Sequence, residues 1–113
     1  MAVVRKASSI RAKRESAPGF RNTLSRIVAG PAQGSDVTVR LVTVKPGGRL
    51  PRRDYGFQRV VTVIQGELVF MDGDGALHTV SEGDAVIVRA HERHHFQNDS
   101  TALARIHIAE PSG

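Results

Sequence analysis

Apolar and polar residues alternate with a period of two along most of this 113-residue chain. Beyond about residue 30 the alternation comes in short runs, and turn-forming residues interrupt it at regular intervals. This pattern is typical of an all-β sandwich or barrel. The strands that it predicts cover residues 36–44, 59–64, 67–71, 76–80, 85–88, 94–98 and 102–109.

Turn signals separate the predicted strands. Pro46-Gly47-Gly48 predicts a turn after the first strand, because proline lacks a backbone donor and glycine tolerates positive φ. Gln65-Gly66 predicts a corner, and residues 72–75 (Asp-Gly-Asp-Gly) predict a hairpin. No repeat or linker divides the series, and the length suffices for one core. We therefore expect one barrel domain over residues 20–113.

Composition sets the chemistry that is open to this domain. The chain has no cysteine and no tryptophan, so thiolate chemistry is excluded and the core is built mainly from aliphatic residues. No apolar run approaches the roughly 20 residues of a membrane span, and no apolar block marks a secretory signal. These features predict a soluble, cytoplasmic protein with no membrane partner.

The formal charge of +5 is distributed unevenly. Residues 1–26 hold seven basic side chains and one acidic, whereas the remaining 87 residues hold nine basic and ten acidic. We interpret residues 1–19 as a basic, partly flexible N-terminal arm. An organelle-targeting segment and a contact with nucleic acid or another anionic surface are the alternatives. Because the body of the chain is nearly neutral, a nucleic-acid partner is not favoured.

Two stretches carry a more specific signal. Gly47, Arg53, Tyr55, Arg59 and Gly66 are spaced as in the first motif of the cupins, which runs glycine, five residues, His, one, His, three, Glu, six, glycine. The second cupin motif runs glycine, five, Pro, one, Gly, two, His, three, Asn, and its positions are Gly83, Arg89, His91, His94 and Asn98. The chain therefore resembles the cupin family, whose fold is a double-stranded β-helix, or jelly-roll barrel.

The resemblance implies a site in which the chemistry has changed. Among the four positions that hold metal in the family, only His94 keeps its residue type. Arg53 and Arg59 replace a histidine and the glutamate, and a guanidinium has no lone pair with which to bind a metal. We therefore expect no metal cofactor. A metal held by His94 with rearranged partners is the alternative.

Two arginines in a partly dry barrel predict an anion site in place of a metal site. Arg53 and Arg59 would bind a carboxylate, phosphate or enolate through paired hydrogen bonds. If the family's orientation holds, period-two alternation turns both inward. The expected substrate-binding residues are these two arginines with Val61, Val63 and Phe96. The expected catalytic residues are His94, as a neutral general base, and Tyr55, as a donor.

Each polar residue of this site also has a structural interpretation. Arg53 would be a solvated charge paired with Asp54, and Arg59 a charge that protects an edge strand. Tyr55 would be a packed aromatic residue. Inward carboxylates are scarce in the predicted strands, which disfavours a mechanism with a His and Asp pair.

The other histidines carry less information. His95 faces away from His94 because the two are adjacent in a strand. His91 falls in a loop at a position where the family has glycine. His78 and His107 are expected to point outward.

Three function classes stay open at this point. The first is a metal-independent isomerase, cyclase, epimerase or lyase that acts on a small anionic or enolisable metabolite. The second is a non-catalytic module that binds or senses a small acid, and the third is a metal-dependent cupin such as a dioxygenase. A homodimer is expected from the β-rich segment 37–44, interpreted as an edge strand.

Overall fold

The computed structural model describes residues 2–112 and shows an antiparallel β-barrel. The strands are β1 (Lys13–Arg14), β2 (Arg21–Ala29), β3 (Val37–Arg49), β4 (Arg59–Gln65), β5 (Glu67–Met71), β6 (Leu77–Ser81), β7 (Ala85–Val88), β8 (His95–Gln97) and β9 (Ala104–Pro111). Two short 3₁₀ helices cover Ala7–Ser9 and Pro31–Gln33. The all-β prediction is confirmed. Within the part described, no helix is long and apolar enough to cross a membrane.

The strand order is β6-β5-β8-β3-β9-β4-β7, with β2 on β3 and β1 on β2. The long strand β3 pairs with both β2 and β9. The interpretation of residues 37–44 as an edge strand is therefore wrong, because both of its edges are used in the barrel. The predicted homodimer loses that argument and stays a prediction.

Strand β3 also continues through the segment where a turn was predicted. Pro46, Gly47 and Gly48 form a bulge opposite Asn22, where the register against β2 shifts. Gly47 has a φ of +75°, and its N–H donates to the carbonyl of Asn98 at 3.0 Å. The glycines therefore bend the strand without ending it, and β3 passes from its pairing with β9 to a pairing with β8.

Strand β2 was not among the predicted strands. Its inward positions include Thr23 and Ser25, which are buried although they are polar. The apolar alternation that marks a half-buried strand is therefore missing from this segment. Part of the predicted arm also belongs to the sheet, because Lys13 and Arg14 pair with residues of β2.

The core fills the interior between the sheets. Alternate residues of β3, β4 and β9 point inward, and the aromatic side chains of β5 and β8 stack there with ring centroids 4.9 Å apart. The buried apolar residues are Val42, Val44, Leu50, Val61, Val63, Leu68, Phe70, Val80, Val88, Phe96, Ala104, Ile106 and Ile108. This core occupies one part of the barrel and leaves a polar cavity in another.

Candidate functional site

A buried ion-pair cluster lies in the barrel interior. Arg59 at the start of β4 and Arg40 of β3 each donate from Nε to the carboxylate of Glu110 on β9, and both distances are 3.1 Å. The side chains of Arg59 and Glu110 are only 6% and 8% exposed, whereas that of Arg40 is 36% exposed. Two guanidinium groups thus flank one carboxylate, and both of its oxygens are engaged.

Arg59 also contacts two of the residues that the motif analysis selected. Its Nη1 lies 3.4 Å from Nε2 of His94, and its guanidinium carbon lies 4.1 Å from the centroid of the Tyr55 ring. Because β4 lies between β7 and β9, Arg59 is not an edge-strand charge. The structure therefore places Arg59 inward, as the period-two alternation indicated.

The surroundings of His94 determine its protonation. Nδ1 lies 2.8 Å from the carbonyl oxygen of Glu92, which is an acceptor, so Nδ1 carries the hydrogen. Nε2 then presents a lone pair toward the guanidinium of Arg59. Burial has the largest effect and lowers the pKa of His94, the hydrogen bond to the carbonyl of Glu92 opposes it in part, and the charge of Arg59 lowers the pKa further. We therefore assign His94 as a neutral imidazole.

This lowered pKa predicts a pH dependence of stability. The unfolded chain binds a proton at His94 below about pH 6.5, whereas the folded chain does not until the pH falls further. The free energy of unfolding should therefore fall as the pH drops from about 6.5, with a slope from this group of at most about 1.4 kcal/mol per pH unit. Urea unfolding at pH 7, 6 and 5 measures it.

The variant His94→Gln serves as the control for that slope, since glutamine does not titrate. The difference in slope between the two proteins isolates His94 from the other histidines. The pKa of Asp72 is also lowered, mainly by its hydrogen bond to His78, but from 3.8, so it does not contribute in this range. Equal slopes for the two proteins would contradict the assignment of a neutral His94.

A cavity of about 190 Å³ adjoins the ion-pair cluster. Its polar wall consists of three arginines and two glutamates, together with a serine and a tyrosine, and its apolar wall is formed by Phe20, Val42, Leu50 and Ile108. The polar lining residues are Arg40, Arg53, Arg59, Glu15, Glu110, Ser25 and Tyr55. This cavity is the candidate functional site.

Arg53 lies at the rim of the cavity. Its backbone pairs with that of His94 through two hydrogen bonds of 3.1 Å, which fix its position across the barrel. Its side chain is exposed, and its guanidinium carbon lies 5.7 Å from the Tyr55 ring and 5.9 Å from the Phe20 ring. Among the described residues, no carboxylate lies within ion-pair distance of Arg53, Asp54 included.

The predicted site residues therefore divide into two groups. Arg53, Tyr55 and Arg59 line the cavity together. His94 lies behind them, with its ring centroid 5.9 Å from that of Tyr55, and does not line the cavity. The three remaining residues, Val61, Val63 and Phe96, are fully buried in the core and do not line it either. Their assigned roles stay predictions.

Motif spacing missed several residues of the cavity. The expectation that inward carboxylates are scarce is wrong, because Glu110 points inward on the same face of β9 as Ile106 and Ile108. Continuing the period-two alternation by one step beyond Ile108 identifies it. Arg40 is found in the same way from Val42 and Val44. Glu15 comes from the N-terminal arm, and no pattern in the sequence indicated that it reaches the cavity.

The other histidines lie outside the cavity. His91 is exposed and has a φ of +65°, which explains why the family has glycine at this position. His95 bonds to Gln97 at 2.9 Å on the opposite side of β8 from Phe96, and His78 is exposed. His107 is half-buried on the outer face of β9.

The residues at this site do not fit a metal ion. Nε2 of His94 faces a guanidinium, and the two arginines bring fixed positive charge to positions that would have to supply lone pairs. In residues 2–112 no group of three or more His, Cys, Asp or Glu side chains could hold a metal. The guanidinium groups, which donate hydrogen bonds and carry positive charge, are suited to anions instead.

The fold and the cavity together define a small single-barrel protein with an arginine-lined interior. The family model described as a cupin domain matches residues 40–109. The chain therefore belongs to the cupin family. No curated protein matches it.

Solved structures with the same barrel include proteins with different reported activities. A polyketide cyclase from Streptomyces resistomycificus superposes with a TM-score of 0.92 at 21% identity, over 100% of this chain and 81% of that one. A sugar phosphate isomerase of the cupin superfamily from Silicibacter pomeroyi gives 0.83 at 27%, over 98% and 76%. A predicted oxalate decarboxylase from Thermotoga maritima gives 0.86 at 18%, over 98% and 100%. These likenesses support the fold.

Proposed function

We propose that this cupin binds a small organic acid in its barrel cavity and promotes proton transfer on it without a metal, as an isomerase, cyclase, epimerase or lyase does. The observation that carries the proposal is Arg53, an unpaired guanidinium at the rim of a cavity whose other arginines are held by Glu110. The activities reported for the cyclase and the isomerase with this barrel support the same reaction class.

The binding step follows from the charges in the cavity. An acidic group on the ligand would bind Arg53, since the guanidinium donates two parallel hydrogen bonds to a carboxylate or phosphate. Phe20 and Tyr55, whose rings both lie near this guanidinium, would contact an apolar part of the ligand. Arg59 lies deeper in the cavity, so it would stabilise the negative oxygen of an enolate that forms beside it.

The proton transfer requires a base that is free to act. In this proposal Arg59 turns from His94 toward a carbonyl oxygen of the ligand, which opens Nε2 of the neutral His94 to the cavity. Nε2 then accepts a carbon-bound proton, and the negative charge of the enolate develops on the oxygen beside Arg59. The base then returns the proton at another carbon, or to an oxygen, which restores both groups to their starting state. Tyr55 serves as a hydrogen-bond donor at the same end of the cavity.

A second function is favoured by one observation. Both oxygens of Glu110 and the Nε2 atom of His94 are engaged by guanidinium groups, so neither Glu110 nor His94 is free to act as a base toward the cavity. A module that only binds a small acid has no need of such a base. A metal-dependent dioxygenase is disfavoured, because the residues of the site do not fit a metal ion. The cytoplasmic location and the homodimer stay predictions that accompany either function.

A screen of small carboxylates and phosphates by thermal shift, with metal content measured on the same sample, identifies a ligand for titration. Arg53→Ala should then weaken its binding by about 10- to 100-fold, because a charge-assisted hydrogen-bond pair is lost. Arg59→Ala is a less specific test, since it also leaves Glu110 with one partner.

Arg52→Ala is the matched control, because Arg52 is an exposed neighbour that does not line the cavity. It removes the same charge and should leave affinity within about twofold. Equal losses in the two variants would mean that only the general positive charge matters, and the proposed site would be wrong.

Exchange of the ligand's carbon-bound protons in heavy water distinguishes an enzyme from a binding module. An enzyme that forms an enolate should catalyse this exchange, and His94→Gln should abolish it while binding persists. Binding without exchange in the unmodified protein would establish the non-catalytic alternative.

A further inference from the structure

We infer that Glu15, from the N-terminal segment, is a specificity-determining residue of the cavity and that the ligand is an acid carrying a second group that donates a hydrogen bond. The inference rests on the proposed function, because it concerns the same cavity. Glu15 and Phe20 line the cavity but lie outside the part of the chain that the family model matches.

Glu15 is held over the cavity by two hydrogen bonds. Its backbone N–H donates to the carbonyl of Thr23 at 2.9 Å, directly after the pairing of β1 with β2. Its Oε1 accepts a hydrogen bond of 2.5 Å from the hydroxyl of Ser25, an inward residue of β2. The carboxylate is thus aimed at the interior and is half-buried there.

The two carboxylates of the cavity are not equivalent. Glu110 has both oxygens engaged by guanidinium groups. Glu15 uses one oxygen for Ser25, and among the described residues no arginine or lysine lies within ion-pair distance of it. Its second oxygen therefore remains available as an acceptor at the cavity wall.

The cavity thus presents one unpaired guanidinium, Arg53, and one unpaired carboxylate, Glu15. A simple acid would satisfy the first and be repelled by the second, whereas an acid that also bears a hydroxyl or amino group would satisfy both. The volume of about 190 Å³ exceeds the roughly 150 Å³ of an engineered cavity that binds benzene, so an acid with one ring fits. The aromatic side chains Phe20 and Tyr55 favour such a flat ligand.

Benzoate, 3-hydroxybenzoate and 4-hydroxybenzoate are suitable probes, because they differ only in the donor group and its position. At least one hydroxylated acid should bind the unmodified protein about 10-fold more tightly than benzoate does, since hydrogen bonds to a charged acceptor are strong. Titration calorimetry measures the three affinities in the full-length protein.

Glu15→Ala should abolish this preference while benzoate binds equally well or more tightly, because a repulsive charge is removed. A variant that merely damages the cavity would weaken all three acids instead. Glu82→Gln, a change at an exposed turn residue outside the cavity, controls for the loss of one negative charge and should preserve the preference.

The outcomes separate the inference from the proposed function. The proposed role of Glu15 is wrong if benzoate binding depends on Arg53 but no hydroxylated acid is preferred, or if the preference survives Glu15→Ala. In either case the proposed binding of an acid at Arg53 is not contradicted. If no acid in the series or in the wider screen binds in a manner that depends on Arg53, the proposed function fails.

Discussion

Replacing Glu110 with alanine should lower the free energy of unfolding by about 3 to 5 kcal/mol, the largest effect that we expect from any polar residue of this protein. The substitution leaves two guanidinium groups without their shared carboxylate. The side chain of Arg59 is only 6% exposed, so water in the adjoining cavity would replace the lost partner only in part. Urea unfolding followed by circular dichroism measures the change.

A double substitution tests whether charge balance is the cause. Arg59→Met combined with Glu110→Leu removes both buried charges and leaves Arg40, which is 36% exposed, free to turn toward water. Replacing a buried pair with apolar residues of similar volume is often close to neutral. The double variant should therefore be more stable than either single variant, and additive losses would show that packing around these residues matters more than their charge.

Gly66→Ala should destabilise the barrel by about 3 kcal/mol, through two effects that act together. The φ of Gly66 is +77°, which costs a residue with a Cβ about 1 to 2 kcal/mol. A Cβ there would also lie 2.7 Å from the carbonyl oxygen of Leu103 and 3.1 Å from Cα of Ala104. Both are backbone atoms, so relief of the clash requires movement of the chain before β9, which adds about 1 to 3 kcal/mol.

Gly83→Ala is the matched control for that prediction. Gly83 has a φ of +91°, but a Cβ added there would meet nothing within 4 Å. It should lose only the conformational part, about 1 to 2 kcal/mol. If the two variants lose the same amount in urea unfolding, the close approach of Gly66 to Leu103 is not a significant constraint.

The predictable part of the fold is the part in which apolar residues alternate. Strands β4, β5 and β7 lie within one residue of their predicted positions, because Val, Leu and Phe mark their inward faces. Strand β2 was not predicted, because the polar residues Thr23 and Ser25 occupy its inward positions and interrupt the apolar alternation. The bulge at Gly47 and Gly48 was interpreted as a turn, since local turn signals do not show that neighbouring strands continue the pairing on both sides.

The residues of the cavity also divide into those that the sequence indicated and those that it did not. Motif spacing brought Arg53, Tyr55 and Arg59 to one place because the barrel fixes where β4 and the segment before it lie. It did not indicate Glu110 or Glu15, since their importance comes from the strands and the segment that meet them across the barrel. A charged residue on an inward face predicts a partner, but only the strand order identifies that partner.

The central position of β3 has a consequence for biosynthesis. Over residues 39–44 its partners are β2, which precedes it in the chain, and β9, which begins at Ala104. A ribosome would therefore synthesise strands β4 to β8 before this part of β3 could acquire its second neighbour, and until then one side of β3 would present unpaired backbone groups. Nascent chains of this protein would therefore close the barrel only after β9 emerges, and they would be most vulnerable to self-association before that point.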